Sequence, residues 1–337
     1  MAISMARKGA TIKPRFALAA VSVLALLLSA CGGGGVSTVG SAGGGSGNSS
    51  GLPILNLGLV PTVDVAPIFV GIQQGFFANE GIQLVTKNAD SGGTIITGVV
   101  QGSYDVGEAA SSPAIVAASK KLPLTAVAGN SVVSATDRVN GVLVAKDSPI
   151  KSYADLAGKT VSVNSLGALF DLCLRAVLTK SGVNPGGLKI IELPFNQTAP
   201  SITKGQIDAG VLPEPFLTQA LGDGTLRSIG SPCNDGLPAK AVQTLFFTSN
   251  QTAKNKADLI QRFVRGLKKA DEFLQANPGE FAKILPSFTQ LTPDVASKIS
   301  QSTYATEIDR DAYNQLIAQM VNLGFIPSSQ SVAGFVQ

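Results

Sequence analysis

The sequence predicts an α/β protein folded as two lobes, each a mixed, mostly parallel sheet flanked by helices. Three observations predict it. Short apolar runs alternate with segments whose apolar residues recur at helical spacing, and strand, helix and strand follow one another within about thirty residues, the length of a βαβ unit. From Leu52 to Gln337 there are 286 residues, room for two bodies of ordinary domain size. The pattern Gly102-x-x-Asp105-x-Gly107 returns 103 positions later as Gly205-x-x-Asp208-x-Gly210. Each copy follows a short helical stretch and precedes a proline-marked loop, so one element of the first lobe is expected to recur in the second. The turn preference of Gly and Asp explains either copy, but less easily both with matching flanks.

The elements follow in order. Leu55 to Val60 reads as a strand stopped by Pro61, and Ala66-Pro67 opens a helix with proline in the tolerated first turn. Ile68, Phe69, Ile72 and Phe76 give that helix its apolar face, and Ile82 to Val85 is the next strand. Thr94 to Gln101 is a short helix and Tyr104 to Val106 a strand. Ser111-Ser112-Pro113 then reads as a capped helix start, followed by strands at Leu124 to Ala128 and Val139 to Lys146. The turn at Asp147-Ser148-Pro149 is taken as the crossing to the second lobe.

There the grammar restarts. Thr160 to Val163 is a strand, Asn164 to Gly167 a tight turn, and Ala168 to Lys180 a helix with Leu169, Leu172, Val177 and Leu178 on its apolar side. Lys189 to Leu193 and Gln206 to Leu212 are strands around a short helix at Ala199 to Lys204. Leu245 to Thr248 returns to the first lobe, after which only helices are expected: Lys254 to Gln275, Pro293 to Gln301 and Asp311 to Leu323. The predicted organisation is therefore 52–145 for lobe one, 146–242 for lobe two, and 243–337 for the return and the C-terminal helices.

Ahead of these lies a leader. Arg7, Lys8, Lys13 and Arg15 precede an apolar core, Phe16 to Leu28, that is shorter than the ~20 residues of a membrane-spanning helix. Leu28-Ser29-Ala30-Cys31 resembles the lipobox of bacterial lipoproteins, in which the cysteine thiol receives a lipid and becomes the new N-terminus. Residues 1–31 are thus read as a lipoprotein signal with Cys31 as the lipidation point. Residues 32–51, rich in Gly and Ser, are read as a tether, with too little apolar surface to offset the entropy of ordering. As a flexible chain the tether would reach roughly 25 Å.

Composition narrows the function. With the leader's four basic residues set aside, 22 basic and 22 acidic residues remain, and no basic run interleaved with aromatics suggests nucleic acid. The chain has no histidine, which removes Ser-His and Cys-His nucleophile pairs and His-ligated metals. Neither a cofactor nor an enzymatic activity is expected. Cys173 and Cys233 could pair in an oxidising exterior, and spacing alone does not decide whether they do.

In open α/β sheets ligands bind beyond the carboxyl ends of the strands, where helix N-termini present free N–H groups. The candidates follow by position: Asp64, Ser111, Ser112, Ser165, Gly167 and Glu214. Ser112 suits a helix cap and, with Ser111 and the adjacent amides, could hold a small anion. The turn at Ser165 to Gly167 serves either turn geometry or ligand contact. Asp64 contacts ligand or forms an Asx turn after Pro61. Glu214 is stiffened by Pro213 and Pro215. It accepts from a ligand amine or hydroxyl, or it clasps a helix N-terminus or a cation across the hinge.

The stretch PTVDVAPIFVGIQQGFFANEGIQL resembles the start of the bacterial ABC-transporter solute-binding proteins of the nitrate, sulfonate, taurine and thiamine-precursor group. The same group shows a GxxDxG element, a DLAGK segment (here Asp155 to Lys159) and an EPF loop (here Glu214 to Phe216), so the resemblance runs from about Leu55 to Phe247. It implies a type II periplasmic-binding-protein fold, in which two lobes joined by two crossings close on a small solute. It also implies an extracytoplasmic, lipid-anchored monomer serving an ABC permease, with a ligand-sensing receptor for a signalling partner as the alternative. Pyrimidine-forming relatives of this group rely on a histidine-rich site that a chain without histidine cannot reproduce. The chain departs from pyrimidine binders in having no Trp and four Tyr, though fifteen Phe remain for stacking. The serine loops suit an anion whereas Asp64 and Glu214 would repel one unless paired, so both signs of ligand stay open.

Overall fold

The computed structural model describes residues 51–336. The signal segment, Cys31 and the tether up to residue 50 lie outside the described residues. Among those described, no helix is long and apolar enough to cross a membrane.

The first half begins with β1 (Ile54–Leu59), α1 (Ala66–Gln73), α2 (Phe76–Asn79), β2 (Gln83–Asn88), α3 (Gly92–Val100), β3 (Val106–Ala110), α4 (Ser111–Ser119), β4 (Leu124–Gly129) and β5 (Ser131–Val132). It continues with β6 (Asn140–Ala145), β7 (Thr160–Val163), α5 (Leu169–Lys180), β8 (Lys189–Glu192), α6 (Phe195–Thr203), β9 (Ala209–Pro213), α7 (Phe216–Leu221), β10 (Leu226–Ser228) and α8 (Pro232–Gly236). The chain closes with β11 (Thr244–Ser249), α9 (Asn250–Asn255), α10 (Ala257–Ala276), α11 (Pro278–Ile284), α12 (Pro293–Ala296), β12 (Thr303–Tyr304) and α13 (Arg310–Asn322).

Two five-stranded sheets result, ordered β2-β1-β3-β11-β4 and β8-β7-β9-β6-β10. In each, three neighbouring parallel strands are followed by one antiparallel strand, β11 or β6, and then by an edge strand, β4 or β10, that runs parallel to the first three. The orders superpose element for element: β1 matches β7, β3 matches β9, and β11 matches β6. The lobes are therefore the same construction made twice.

The repeated Gly-x-x-Asp-x-Gly pattern is what this construction needs at one place. Gly102 and Gly205 both have positive φ, +78° and +66°, where they turn the chain out of α3 and α6 at low steric cost. Asp105 and Asp208 then sit just before β3 and β9. The Asp105 carboxylate accepts from the Asn56 amide at 2.9 Å, and that of Asp208 from the Thr160 amide at 2.8 Å. Each thereby satisfies an amide near the start of the adjacent parallel strand, β1 or β7. A Cβ on Gly107 would come within 2.5 Å of Ile95 Cγ2, and one on Gly210 would enter the Thr198 methyl, so α3 and α6 lie directly on their strands.

Lys256 adds an ion pair to Asp105 at 2.6 Å. Asp105→Ala is accordingly expected to cost about 2–3 kcal/mol, through an enclosed amide left without its acceptor. Asp208→Ala should cost less, because Asp208 is more exposed. Urea unfolding of the two variants measures this, and equal losses would contradict it.

The cores follow the layers. Leu55, Leu57, Leu59 and Phe246 pack under Phe77, Phe263 and Leu267, where the Phe77 and Phe263 rings stack at 5.8 Å. The opposite face joins Ile95, Val99 and Ile115 to Phe247, Leu316 and Met320, and extends across to Leu172 and Cys173 of α5. In the second lobe Val142, Val144, Val161 and Val163 face Leu174 and Leu178, while Leu143 and Leu212 face Ile202 and Leu217.

Three expectations are corrected. The boundary at 145/146 falls too late: β6 already belongs to the second sheet, between β9 and β10, so the first crossing precedes Asn140. An apolar strand buried on both faces, as Val142, Leu143 and Val144 are, looks the same in either sheet. The helical C-terminus also holds β12, two residues long, which pairs with β5. Finally, Ser112 is not a helix cap. The chain passes from β3 straight into α4, so Ala110 occupies the cap position and no side chain caps the helix.

Candidate functional site

The carboxyl ends of strands in both sheets, together with the two segments that connect the lobes, 133–139 and 237–243, enclose a narrow cavity. Its lining includes Asp64, Ser131, Asn140, Phe170, Glu214, Gln243 and Thr244. Its volume is about 20 Å³, enough for a single water-sized group.

Asp64 is carried by a 3₁₀ turn, Val63–Val65, directly after β1. Its Oδ1 accepts from the Ser302 hydroxyl at 2.9 Å. Burial raises its pKa above the ordinary carboxylate value, the hydroxyls of Ser302 and Ser131 lower it, and the charge of Asp137 adds to the rise. Asn130, fully buried, donates through Nδ2 to the Asp64 carbonyl at 3.0 Å, to Thr244 Oγ1 at 3.0 Å and to Glu108 Oε1 at 3.4 Å. Glu108 is pushed up to about 8, by burial first and by the Asp64 charge second, against opposing hydrogen bonds from Asn130 and Thr244.

Glu214 follows β9 and is 3% exposed. Its amide donates to the Val139 carbonyl at 2.8 Å, and the peptide after it, Glu214–Pro215, is cis. The carboxylate accepts from the Thr218 hydroxyl at 2.8 Å and from the Thr218 amide at 3.1 Å, so it clasps the start of α7. Burial raises its pKa, while Thr218 and the Ser300 amide lower it. Clasping a helix was one of the two roles expected of Glu214, and its place on the cavity wall leaves the other geometrically open.

Ser111 and Ser112 occupy the first turn of α4, both fully buried, with hydroxyls that have no hydrogen-bond partner. The Ser111 amide donates to the Gln243 carbonyl at 2.7 Å, which ties α4 to the second connecting segment. Ser165 and Gly167, like Ser111 and Ser112, do not line this cavity. Acidic side chains of the same lobe engage them. Glu192 accepts from the Ser165 hydroxyl at 3.2 Å and the Leu166 amide at 2.7 Å, and Asp171 accepts from the Gly167 amide at 2.9 Å. Carboxylates at a helix N-terminus are stabilised by its dipole, and here they take the donors an anionic ligand would use.

Sequence reasoning missed Ser131, Asn140, Gln243 and Thr244. All four lie at the ends of the connecting segments, where a polar residue next to an apolar strand was the available signal. Gln243 is 4% exposed and its Nε2 has no partner. Cys173 in α5 and Cys233 in α8 are joined by a disulfide. A larger groove, about 520 Å³, opens between α6 and α7, away from the carboxylates. Phe195 and Phe216, on its wall, connect it through ring contacts to Phe170.

Two lobes of matched topology around such a cleft define a periplasmic-binding-protein fold. The periplasmic aliphatic sulphonate binding protein SsuA from Escherichia coli shares it, with a TM-score of 0.70 at 17% identity over 83% of this chain and 96% of that one. The profile described as "NMT1/THI5 like" matches residues 62–281, and the chain belongs to that family. Among curated relatives, a putative binding protein of Brucella abortus (strain 2308), BAB2_1146, is 25% identical over 228 residues, covering 66% of this chain and 67% of its own. The 4-amino-5-hydroxymethyl-2-methylpyrimidine phosphate synthase THI5 of Saccharomyces cerevisiae is 23% identical over 258 residues, 73% of this chain and 74% of its own.

Proposed function

We infer that this chain is the solute-binding lipoprotein of an ABC importer. It is held outside the cytoplasm by lipid on Cys31, captures a small solute between its lobes, and presents the closed form to a permease. One observation carries the reading: Asp64 from the first lobe and Glu214 from the second line one enclosed cavity, whose wall also takes Leu169 and Phe170 of α5 and residues at the ends of the connecting segments. Contacts on both lobes favour the closed arrangement by differential affinity, which is what hinge closure on a ligand requires.

The relatives divide between proteins named for binding and proteins named as synthases, and the chemistry of the cleft favours binding. With no histidine in the chain, the residues around the cavity supply hydroxyls, amides and carboxylates but no imidazole base to activate Ser111 or Ser112. A ligand bound only to the folded state raises the melting temperature by mass action. The test is therefore a thermal-shift screen of the purified chain against sulfonates, nitrate, bicarbonate, amines and pyrimidines. At least one compound should raise the melting temperature and also contract the radius of gyration measured by X-ray scattering. A screen without any such compound would count against the reading.

A further inference from the structure

The charge of the cleft wall identifies the class of solute, an inference that rests on the solute-binding reading above. Asp64 and Glu214 face the cavity from opposite lobes, and no Lys or Arg is among the residues lining it. Glu108 stands behind Asn130 and Thr244, where burial keeps it protonated up to about 8, so it brings no charge of either sign to the wall. An anion entering here would meet carboxylates on both walls, with no compensating base.

The helix N-termini around the cleft do not offset this. In the second lobe the Thr218 amide is taken by Glu214 and the Gly167 amide by Asp171. In the first lobe the opening amide of α4, Ser111, is taken by the Gln243 carbonyl. The side-chain Nε2 of Gln243 is a separate sign of a ligand: it is a strict donor, almost wholly buried on the cavity wall, and without a partner. A buried donor left unmade costs about 1–3 kcal/mol, and an acceptor atom on a solute would relieve it. Phe170 contributes an aromatic ring to the same wall, a surface suited to a delocalised cation.

We propose that the solute is a small organic cation bearing N–H donors, an ammonium or an amidinium, which bridges Asp64 and Glu214 while an acceptor atom on it takes the Gln243 side-chain amide. The cavity as it stands holds only a water-sized group, so the lobes part to admit the cation, and the two carboxylates then hold them together through it. Raised carboxylate pKa values in the ligand-free chain fit this arrangement, since a cation between the acids would restore their ionised forms.

The test uses the purified full-length chain and probes matched in size but opposite in charge. Benzamidine, methylammonium and guanidinium are compared with benzenesulfonate, methanesulfonate and nitrate, by thermal shift and then by calorimetric titration. At least one cation should raise the melting temperature and no anion should. Asp64→Asn should weaken that cation at least about tenfold, the loss of one charge-assisted contact, with an unchanged circular dichroism spectrum. Glu214→Gln should weaken it comparably, but Asp64→Asn is the cleaner variant because Glu214 also holds α7. Stabilisation by the anions alone would overturn the cation assignment and leave solute capture standing. Silence from both probe sets would count against both readings, and equal cation affinity in Asp64→Asn would overturn the assignment even if binding occurs.

Discussion

Replacing Cys173 and Cys233 together by alanine should lower the melting temperature by on the order of 10 °C. The bridge joins residues 60 apart in sequence, and closing a loop of that length removes about 4 kcal/mol worth of chain entropy from the unfolded state. Both cysteines are fully buried, so the variant also loses packing around them. The consequence reaches the cleft as well. The Cys233 amide donates to Asn140 Oδ1 at 3.2 Å, and the Ser231 hydroxyl donates to the same oxygen at 3.0 Å. Asn140 lines the cavity, and α5 contributes Leu169 and Phe170 to it. Loosening α8 against α5 should therefore weaken ligand binding along with stability. Scanning calorimetry with and without dithiothreitol checks this: fully reduced wild type should fall most of the way to the variant's melting temperature, staying above it by the packing its two sulfurs retain, and the variant should ignore reductant. A wild-type transition that stays put after complete reduction, verified by thiol titration, would contradict it.

Much of this architecture was legible because local chemistry repeats wherever the construction repeats. Gly102, Asp105 and Gly107 recur as Gly205, Asp208 and Gly210 since each lobe must leave a helix, satisfy an amide of the neighbouring parallel strand and admit a helix close to the next strand. Such needs act over a few residues and leave a pattern. The sheet to which β6 belongs left none, because Val142, Leu143 and Val144 meet apolar neighbours on both faces, a demand that the interior of either sheet makes equally.

The site was half legible for a similar reason. Asp64 and Glu214 follow strand ends, and position alone places them at the cleft. The serine of the Ser165 turn also follows a strand, yet Glu192, 27 residues on, takes its hydroxyl, and no local pattern announces a partner so distant. Gln243 and Asn140 owe their role to the connecting segments, whose course becomes apparent only when both sheets are assembled.

The stability of the ligand-free chain should fall as pH rises from about 5 to about 8, and Glu108→Gln should flatten that fall. Glu108 titrates at about 8 in the folded chain against an ordinary value of 4.5, and Asp271, raised to about 7 by burial, behaves likewise from 3.8. Between the unfolded and folded values the native state keeps a proton that the unfolded chain releases. The stability these groups contribute is thus fully present below the unfolded pKa and lost as pH rises through the folded one. Each pH unit in that window is worth up to about 1.4 kcal/mol per group, so the combined loss should reach a few kcal/mol. Glu80, whose pKa Lys269 and Arg265 lower, has the opposite sign but acts only below its ordinary value of 4.5, outside the window. Glutamine resembles the protonated acid in shape and keeps an oxygen for Asn130 Nδ2, so Glu108→Gln should raise the melting temperature at pH 8 by several degrees and leave it nearly unchanged at pH 5. Calorimetry of wild type, Glu108→Gln and Asp271→Asn across that range measures the slopes. An unaltered slope in Glu108→Gln would mean that Glu108 is ionised in the folded chain, and the charge balance of the cleft would have to be redrawn.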